Sequence, residues 1–283
     1  MAVIARRKNA GGLAAREQNW GADRPPAGSR RACPVRIYTL GRFSVTLHRQ
    51  ALTTHHKRRY QRPLELLQAL IALGGREVHV ELLSQALWPD ADGDRAQNTF
   101  DVTLHRLRQL CNVETLLLLR DRRLSLNGEL AWVDVWSFEQ VVNYAEDLLV
   151  RLDEPGVGRQ LVRCEERLFG LYQGAFLERE AIQPWALTLR ERLRSKLLRH
   201  VAGAGKAWEA AGDWDRAIRY YQKGLEVDPL IEELYRRLMF CFRQTKRTAE
   251  ALAVFERCRA MLSTQLKVTP SRDTIDLLRS LKP

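Results

Sequence analysis

The pattern of apolar and polar positions changes character twice along this chain. Before Val35 there is no period: Gly11, Gly12, Gly21, Pro25, Pro26, Gly28 and Pro34 interrupt it. Residues 1–34 therefore read as a disordered basic arm, either an inert tail or a contact for phosphates. From Val35 a period of two begins, with Val35, Ile37 and Thr39 set against Arg36, Tyr38 and Leu40. FSVTL after Gly41 repeats the strand signal, and Gln50–Thr53 offers a third short strand. Pro63 is placed to open a helix, since its missing N–H is not needed there. In LELLQALIAL, Leu64, Leu67 and Ile71 form one stripe that Leu66, Leu70 and Leu73 widen, until Gly74-Gly75 stops it. A second helix is predicted over about Val80–Leu87, closed by Trp88-Pro89, with the acidic turn PDADGD after it.

The chain is organised around the next stretch, Asp94–Cys111. Phe100, Leu104, Leu107 and Cys111 recur at helical spacing and, with Thr103 and Leu110, make one apolar arc. The opposite arc collects Arg95, Asn98, Asp101, Val102, His105, Arg106 and Gln109. Arg, Asn and Gln carry paired hydrogen-bonding groups that match base edges, and Val can touch a thymine methyl. Seen alone, the stretch also fits an ordinary amphipathic surface helix. Its neighbours decide for the base-reading alternative. Leu116–Leu119 and Leu124–Leu126 flank the charged RDRR and read as a β-hairpin. Strands, helix, helix, basic-faced helix and hairpin follow in the order of a winged helix-turn-helix, whose third helix enters the major groove.

Beyond Trp132–Glu139 the pattern is helical throughout, over roughly 137–151, 158–172, 184–211, 214–226, 231–244, 247–265 and 272–281. Three correspondences recur at an interval of 34 residues: Trp208 with Phe242, Ala217 with Ala251, and Tyr221 with Phe255. With Gly205 and Pro229 this fits the tetratricopeptide period, in which paired helices stack into a solenoid. The second copy carries Met239 where the first has Gly205, which predicts a looser helix contact. The predicted fold class is thus mainly α with a small β component. The expected domains are the arm 1–34, a winged-helix domain 35–133 and an all-α, tetratricopeptide-like domain 134–283.

Charge sharpens this division. The net charge is +12, of which residues 1–34 hold +5 and residues 35–133 hold +4, leaving +3 for the longest segment. A basic front half suits a polyanion. Lys57, Arg58, Arg59, Arg108, Arg122 and Arg123 are the candidates for phosphate contact. The five cysteines are odd in number and lack C-x-x-C spacing, so a reducing compartment is expected. No apolar run approaches the roughly 18–20 residues that span a bilayer. The expectation is a cytoplasmic protein that makes no membrane contact.

RPLELLQALIALGGREV, ELLSQALWPDAD and RAQNTFDVTLHRLRQL together resemble the OmpR-class winged helix, in the version found in antibiotic-regulatory-protein (SARP-type) activators. Leu87-Trp88-Pro89 and Val102-x-Leu104-x-Arg106-Leu107-Arg108 are the most specific pieces. Two features depart from the pattern. Arg122-Arg123-Leu124-Ser125-Leu126 stands where Gly-Tyr-x-Leu usually closes the wing, and His79-Val80 stands where a capping Ser or Thr is usual. LYQGAFLERE and PWALTLRERLRSKLL look like the front of the bacterial transcriptional activator domain, the usual partner of such a winged helix. The resemblance spans about residues 35–280 and implies a sequence-specific transcription regulator, an activator binding repeated promoter half-sites of double-stranded DNA. It further implies that the helical domain dimerises, touches RNA polymerase or receives a signal. The acidic turn, with Asp90, Asp92 and Asp94, is then the candidate for polymerase contact.

Other chemistry finds no support in the residues. Ala202-Gly203-Ala204-Gly205-Lys206 hints at a phosphate loop, yet His200 fills its first glycine position and Ala207 its Ser/Thr position. His55-His56 lacks partners at metal-ligand spacing. No catalytic constellation stands out, so neither an enzyme nor a cofactor is expected. With only 34 residues before Val35, no receiver domain within the chain is expected to control activity. The competing reading is a tetratricopeptide adaptor whose basic front half docks on an acidic protein.

Overall fold

The structure, a computed structural model, describes residues 33–52 and 58–281, apart from the side chains of Arg58 and Arg59. The expected basic arm, except for Cys33 and Pro34, lies outside the described residues, as does Lys57. The described chain forms two compact units. One holds the residues up to Ser137 together with Phe176–Leu189, and the other holds Phe138–Ala175 and the residues from Arg190 onward.

The first unit opens with strands β1 (Val35–Tyr38), β2 (Ser44–Leu47) and β3 (Gln50–Ala51). Val35 and Ile37 are buried while Arg36 and Tyr38 are half-buried, so the period of two is realised as a one-sided sheet. Helices α1 (Arg58–Ala72), α2 (Val80–Leu87) and α3 (Gly93–Cys111) follow, with the two-residue β4 (Val78–His79) ahead of α2. Strands β5 (Leu117–Arg120), β6 (Arg123–Leu126) and β7 (Ala131–Val133) complete the series before α4 (Asp134–Leu149). One sheet has the order β3-β2-β1-β7, the other β4-β6-β5.

Two local expectations are corrected. Helix α1 begins at Arg58, so Pro63 sits inside it rather than opening it. Gln61 and Arg62 both donate to Glu65, at 3.1 and 2.8 Å, and these one-turn pairs favour a helical path ahead of the proline. Trp132–Glu139 reads from sequence as the crossing between domains, yet its first two residues belong to a strand, Ala131–Val133, that runs parallel to β1 and pairs Val35 with Ala131 and Ile37 with Val133.

The core of this unit lies where α1, α2 and α3 meet. Leu66, Leu67, Leu70 and Ile71 of α1 are buried with Leu83 and Leu87 of α2 and Phe100, Leu104 and Leu107 of α3. Leu73, expected to widen the α1 stripe, is exposed. Past the end of α1, Gly75 adopts φ +77° and leaves no room for a Cβ, which would stand 2.6 Å from the Trp136 ring. Beside the four-stranded sheet, Asp134 accepts from the backbone N–H groups of Thr39 and Leu40 and from the Thr39 hydroxyl. Burial pushes its carboxyl above the usual range against the pull of those donors. Phe176 is buried and bridges to Leu40, while the Leu177 N–H donates to the Thr39 carbonyl at 2.8 Å.

The second unit continues α4 with α5 (Val157–Leu171), α6 (Pro184–Ala210, from Arg190), α7 (Trp214–Val227), α8 (Glu232–Gln244) and α9 (Thr248–Met261). A π-helical turn (Leu262–Leu266) and α10 (Arg272–Arg279) end it, so the helix expected over 247–265 loosens at Leu262. All members of the 34-residue correspondence are buried: Trp208 and Phe242, Ala217 and Ala251, Tyr221 and Phe255. Gly205 is needed because a Cβ there would stand 2.4 Å from the Tyr221 ring. Met239, its counterpart, is fully buried, so the second pair takes up a long side chain where the first has none. Glu209 of α6 accepts from the Tyr221 hydroxyl of α7 at 2.5 Å and from both Nε and Nη2 of Arg237 of α8. That carboxylate is 6% exposed, so it fastens three successive helices from inside. The chain is mainly α with a small β component, a winged-helix-like region followed by a helical solenoid.

Candidate nucleic-acid interface

Helix α3 is split lengthwise by burial. Ala96, Phe100, Thr103, Leu104, Leu107 and Cys111 are buried, and α3 packs on α1 and α2. Asn112 ends it in the left-handed region at φ 45°, its N–H returning to the Arg108 carbonyl. On the other side Arg95, Asn98, Asp101, His105, Arg106 and Gln109 are exposed, and Val102 is 50% exposed although apolar. The structure brings these seven onto one continuous arc. Leu110, expected within the apolar arc, is half-buried at its margin.

The phosphate candidates are dispersed. Arg58 and Arg59 begin the backbone of α1, and Lys57 lies outside the described residues. Arg108 turns toward the hairpin, where its Nη2 donates to the Leu117 carbonyl at 3.0 Å. Arg123 is exposed on β6. Arg122 is exposed too, but it is already engaged. Its Nε donates to Glu81 at 3.0 Å and its Nη2 to the Gln97 side-chain carbonyl at 3.2 Å. The Glu81 carboxyl is held below the usual range by its own backbone N–H and by the Arg122 guanidinium. Asp90, Asp92 and Asp94 are exposed, Asp90 on the turn after α2, Asp92 at the N-cap of α3 and Asp94 in its first turn.

Arg122 takes this course because of the hairpin's turn. Arg120 pairs with Arg123, leaving Asp121 and Arg122 as a two-residue loop with φ of 46° and 57°. Such a loop matches the twist of the flanking strands, but a residue with a Cβ costs about 1–2 kcal/mol in that region. The Arg122 carbonyl accepts from the Val80 N–H at 2.9 Å, filling the capping role that His79 does not perform with its side chain. The loop tip is therefore fastened onto the N-terminus of α2.

The sequence reading missed Gln97. It is half-buried, and its Nε2 donates to both Asp101 carboxylate oxygens at 3.2 Å. The i,i+4 spacing of Gln and Asp was the available signal. Among the described residues no group of three or more His, Cys, Asp or Glu could hold a metal ion. None of their helices is long and apolar enough to cross a membrane.

A family model described as the bacterial transcriptional activator domain matches residues 133–282. Among solved structures, the chain is similar to Mycobacterium tuberculosis EmbR in complex with a low-affinity phosphopeptide, with a TM-score of 0.64 at 18% identity. That similarity covers 88% of this chain and 65% of the EmbR chain, so this chain spans less than two thirds of its relative. The likeness is one of fold. No curated protein matches.

Proposed function

Because the chain belongs to the bacterial transcriptional activator domain family, we propose that it is a sequence-specific, DNA-binding transcription regulator acting as an activator. The observation that carries this reading is the α3 arc. Six exposed polar side chains and one exposed valine occupy one face, while the opposite face is buried in the core. A helix of 19 residues with that division fits the major groove. Arg95, Asn98, Asp101, Val102, His105, Arg106 and Gln109 meet base edges. Arg123, with Lys57, Arg58 and Arg59, meets phosphates. Arg108 is drawn to the hairpin by the Leu117 carbonyl and Arg122 to Glu81 and Gln97, so neither is free to meet phosphates as Arg123 is. The OmpR-class winged helix occupies 35–133, and the tetratricopeptide-like domain from 134 pairs two copies or recruits RNA polymerase. Exposed Asp90, Asp92 and Asp94 are the surface offered to polymerase.

The test is a mobility shift of the full chain on duplexes selected from a random pool, with unselected duplex as competitor. Asn98→Ala and Arg106→Ala should each cost selectivity worth roughly 1–3 kcal/mol and leave the helical circular dichroism unchanged. A chain that binds an acidic protein but shows no preference among duplexes would be an adaptor instead.

A further inference from the structure

We infer that Gln97 sets base specificity without touching a base: it fixes the carboxylate of Asp101 on the base-facing arc and couples it, through Arg122, to the tip of the hairpin. The inference rests on the proposed DNA reading of α3 and adds a residue and a linkage to it.

The geometry is a single chain of donors and acceptors. Arg122 donates to the Gln97 side-chain oxygen at 3.2 Å, and the Gln97 nitrogen donates to Asp101 at 3.2 Å. Only one orientation of the amide serves both neighbours. A guanidinium has donors alone and an ionised carboxylate has acceptors alone, so the oxygen must face Arg122 and the nitrogen Asp101. Arg122 is itself fixed twice, by Glu81 at 3.0 Å and by the Val80 N–H to its carbonyl at 2.9 Å. The carboxylate of Asp101 thus inherits a position set by α2 and the turn between β5 and β6.

That placement matters for the chemistry Asp101 offers. A carboxylate reads a base as an acceptor for the cytosine amino group. An unrestrained, exposed aspartate would lose rotamer freedom on doing so and could swing toward other neighbours. Held by Gln97, it keeps free lone pairs while its direction is chosen beforehand. Gln97 is therefore a positioning residue, and Arg122 transmits rather than contacts.

The experiment reads the base preference of the full chain at every position of a randomised duplex. Asp101→Ala identifies the base pair that Asp101 reads. Gln97→Leu should lower the preference at that base pair about fivefold or more and leave the other positions as they were. The loss should vanish when Gln97→Leu is made in the Asp101→Ala background. Arg122→Ala should reproduce the same loss at one position, whereas loss of a phosphate contact would weaken all sequences alike. Gln97→Glu, which cannot donate to Asp101, should behave as Gln97→Leu does. A selective parent chain whose profile is unchanged in Gln97→Leu, or lowered evenly at all positions, overturns the inference alone. A parent chain with no preference among duplexes overturns the DNA reading and this inference with it.

Discussion

Asp134 holds Thr39 twice, accepting its backbone N–H at 2.6 Å and its hydroxyl at 2.7 Å across 95 residues of chain. Both residues are buried. Asp134→Ala strands these donors and the Leu40 N–H, and should destabilise the first unit by about 3 kcal/mol or more. Asn, which keeps one acceptor, should cost less. A fragment 35–133, the boundary suggested by sequence, loses this carboxylate altogether. It should therefore melt earlier than a fragment 35–137, which retains Asp134 and Trp136. Equal urea midpoints for the two fragments would remove Asp134 from its structural role.

The two arginines at the hairpin should part company in a salt titration. Arg123→Ala removes an exposed cation and should lower the slope of log affinity against log salt by about 0.9. Arg122 is occupied by Glu81 and Gln97. Its replacement should leave the slope nearly unmoved while altering selectivity. A fall of equal size in both variants would place Arg122 on the phosphates.

His200 predicts an acid limb in the stability of the second unit. It is 1% exposed, neither ring nitrogen has a hydrogen-bonding partner among the described residues, and burial pushes the imidazole down to about 4. Between about pH 6.5 and pH 4 the unfolded chain therefore binds more protons than the folded one. Stability is complete above that window and is lost as pH falls through it, by about 1.4 kcal/mol per pH unit at most. His200→Leu should flatten this limb. Glu165, whose carboxyl is pushed up by burial, contributes the opposite slope, so it must stay unchanged in the comparison. Denaturant midpoints measured across the window give the answer. An unflattened limb in the variant would show that His200 is protonated without penalty.

Arg237→Met leaves the Glu209 carboxylate buried beside the Tyr221 hydroxyl without its cation. Breaking a buried pair in this way costs about 3–5 kcal/mol. Adding Glu209→Gln to the same chain should recover part of the loss, since the uncompensated charge is then gone. The double variant should melt above the single one, and a further drop would mean that the pair is not the unit of stability.

What the sequence made legible follows from period. The bounds of α2 and the body of α3 were readable because Leu83, Leu87, Phe100, Leu104 and Leu107 repeat at 3.6 residues and all are buried. The solenoid was readable because Ala217 and Tyr221 have counterparts at one fixed interval. The strand Ala131–Val133 is too short to show alternation, and its parallel partner lies nearly a hundred residues earlier. The bridge between Leu40 and Phe176 involves backbone pairing that leaves no side-chain signature. Gln97 escaped notice for a different reason. A polar residue at the margin of an amphipathic helix looks the same whether it is idle or holds a neighbour in place.

The fastening of the Asp121-Arg122 loop has a consequence for the heat and timing of association. A hairpin tip held by Val80, Glu81 and Gln97 is already ordered before it meets anything. Immobilising a long side chain at an interface costs about 0.5–1.5 kcal/mol, and here that ordering belongs to folding rather than to binding. Association should accordingly show a small entropy penalty and little change in hydrogen-exchange protection at the tip. The same fastening makes the tip a poor adapter: a partner surface of slightly different curvature would be met by strain, not by accommodation.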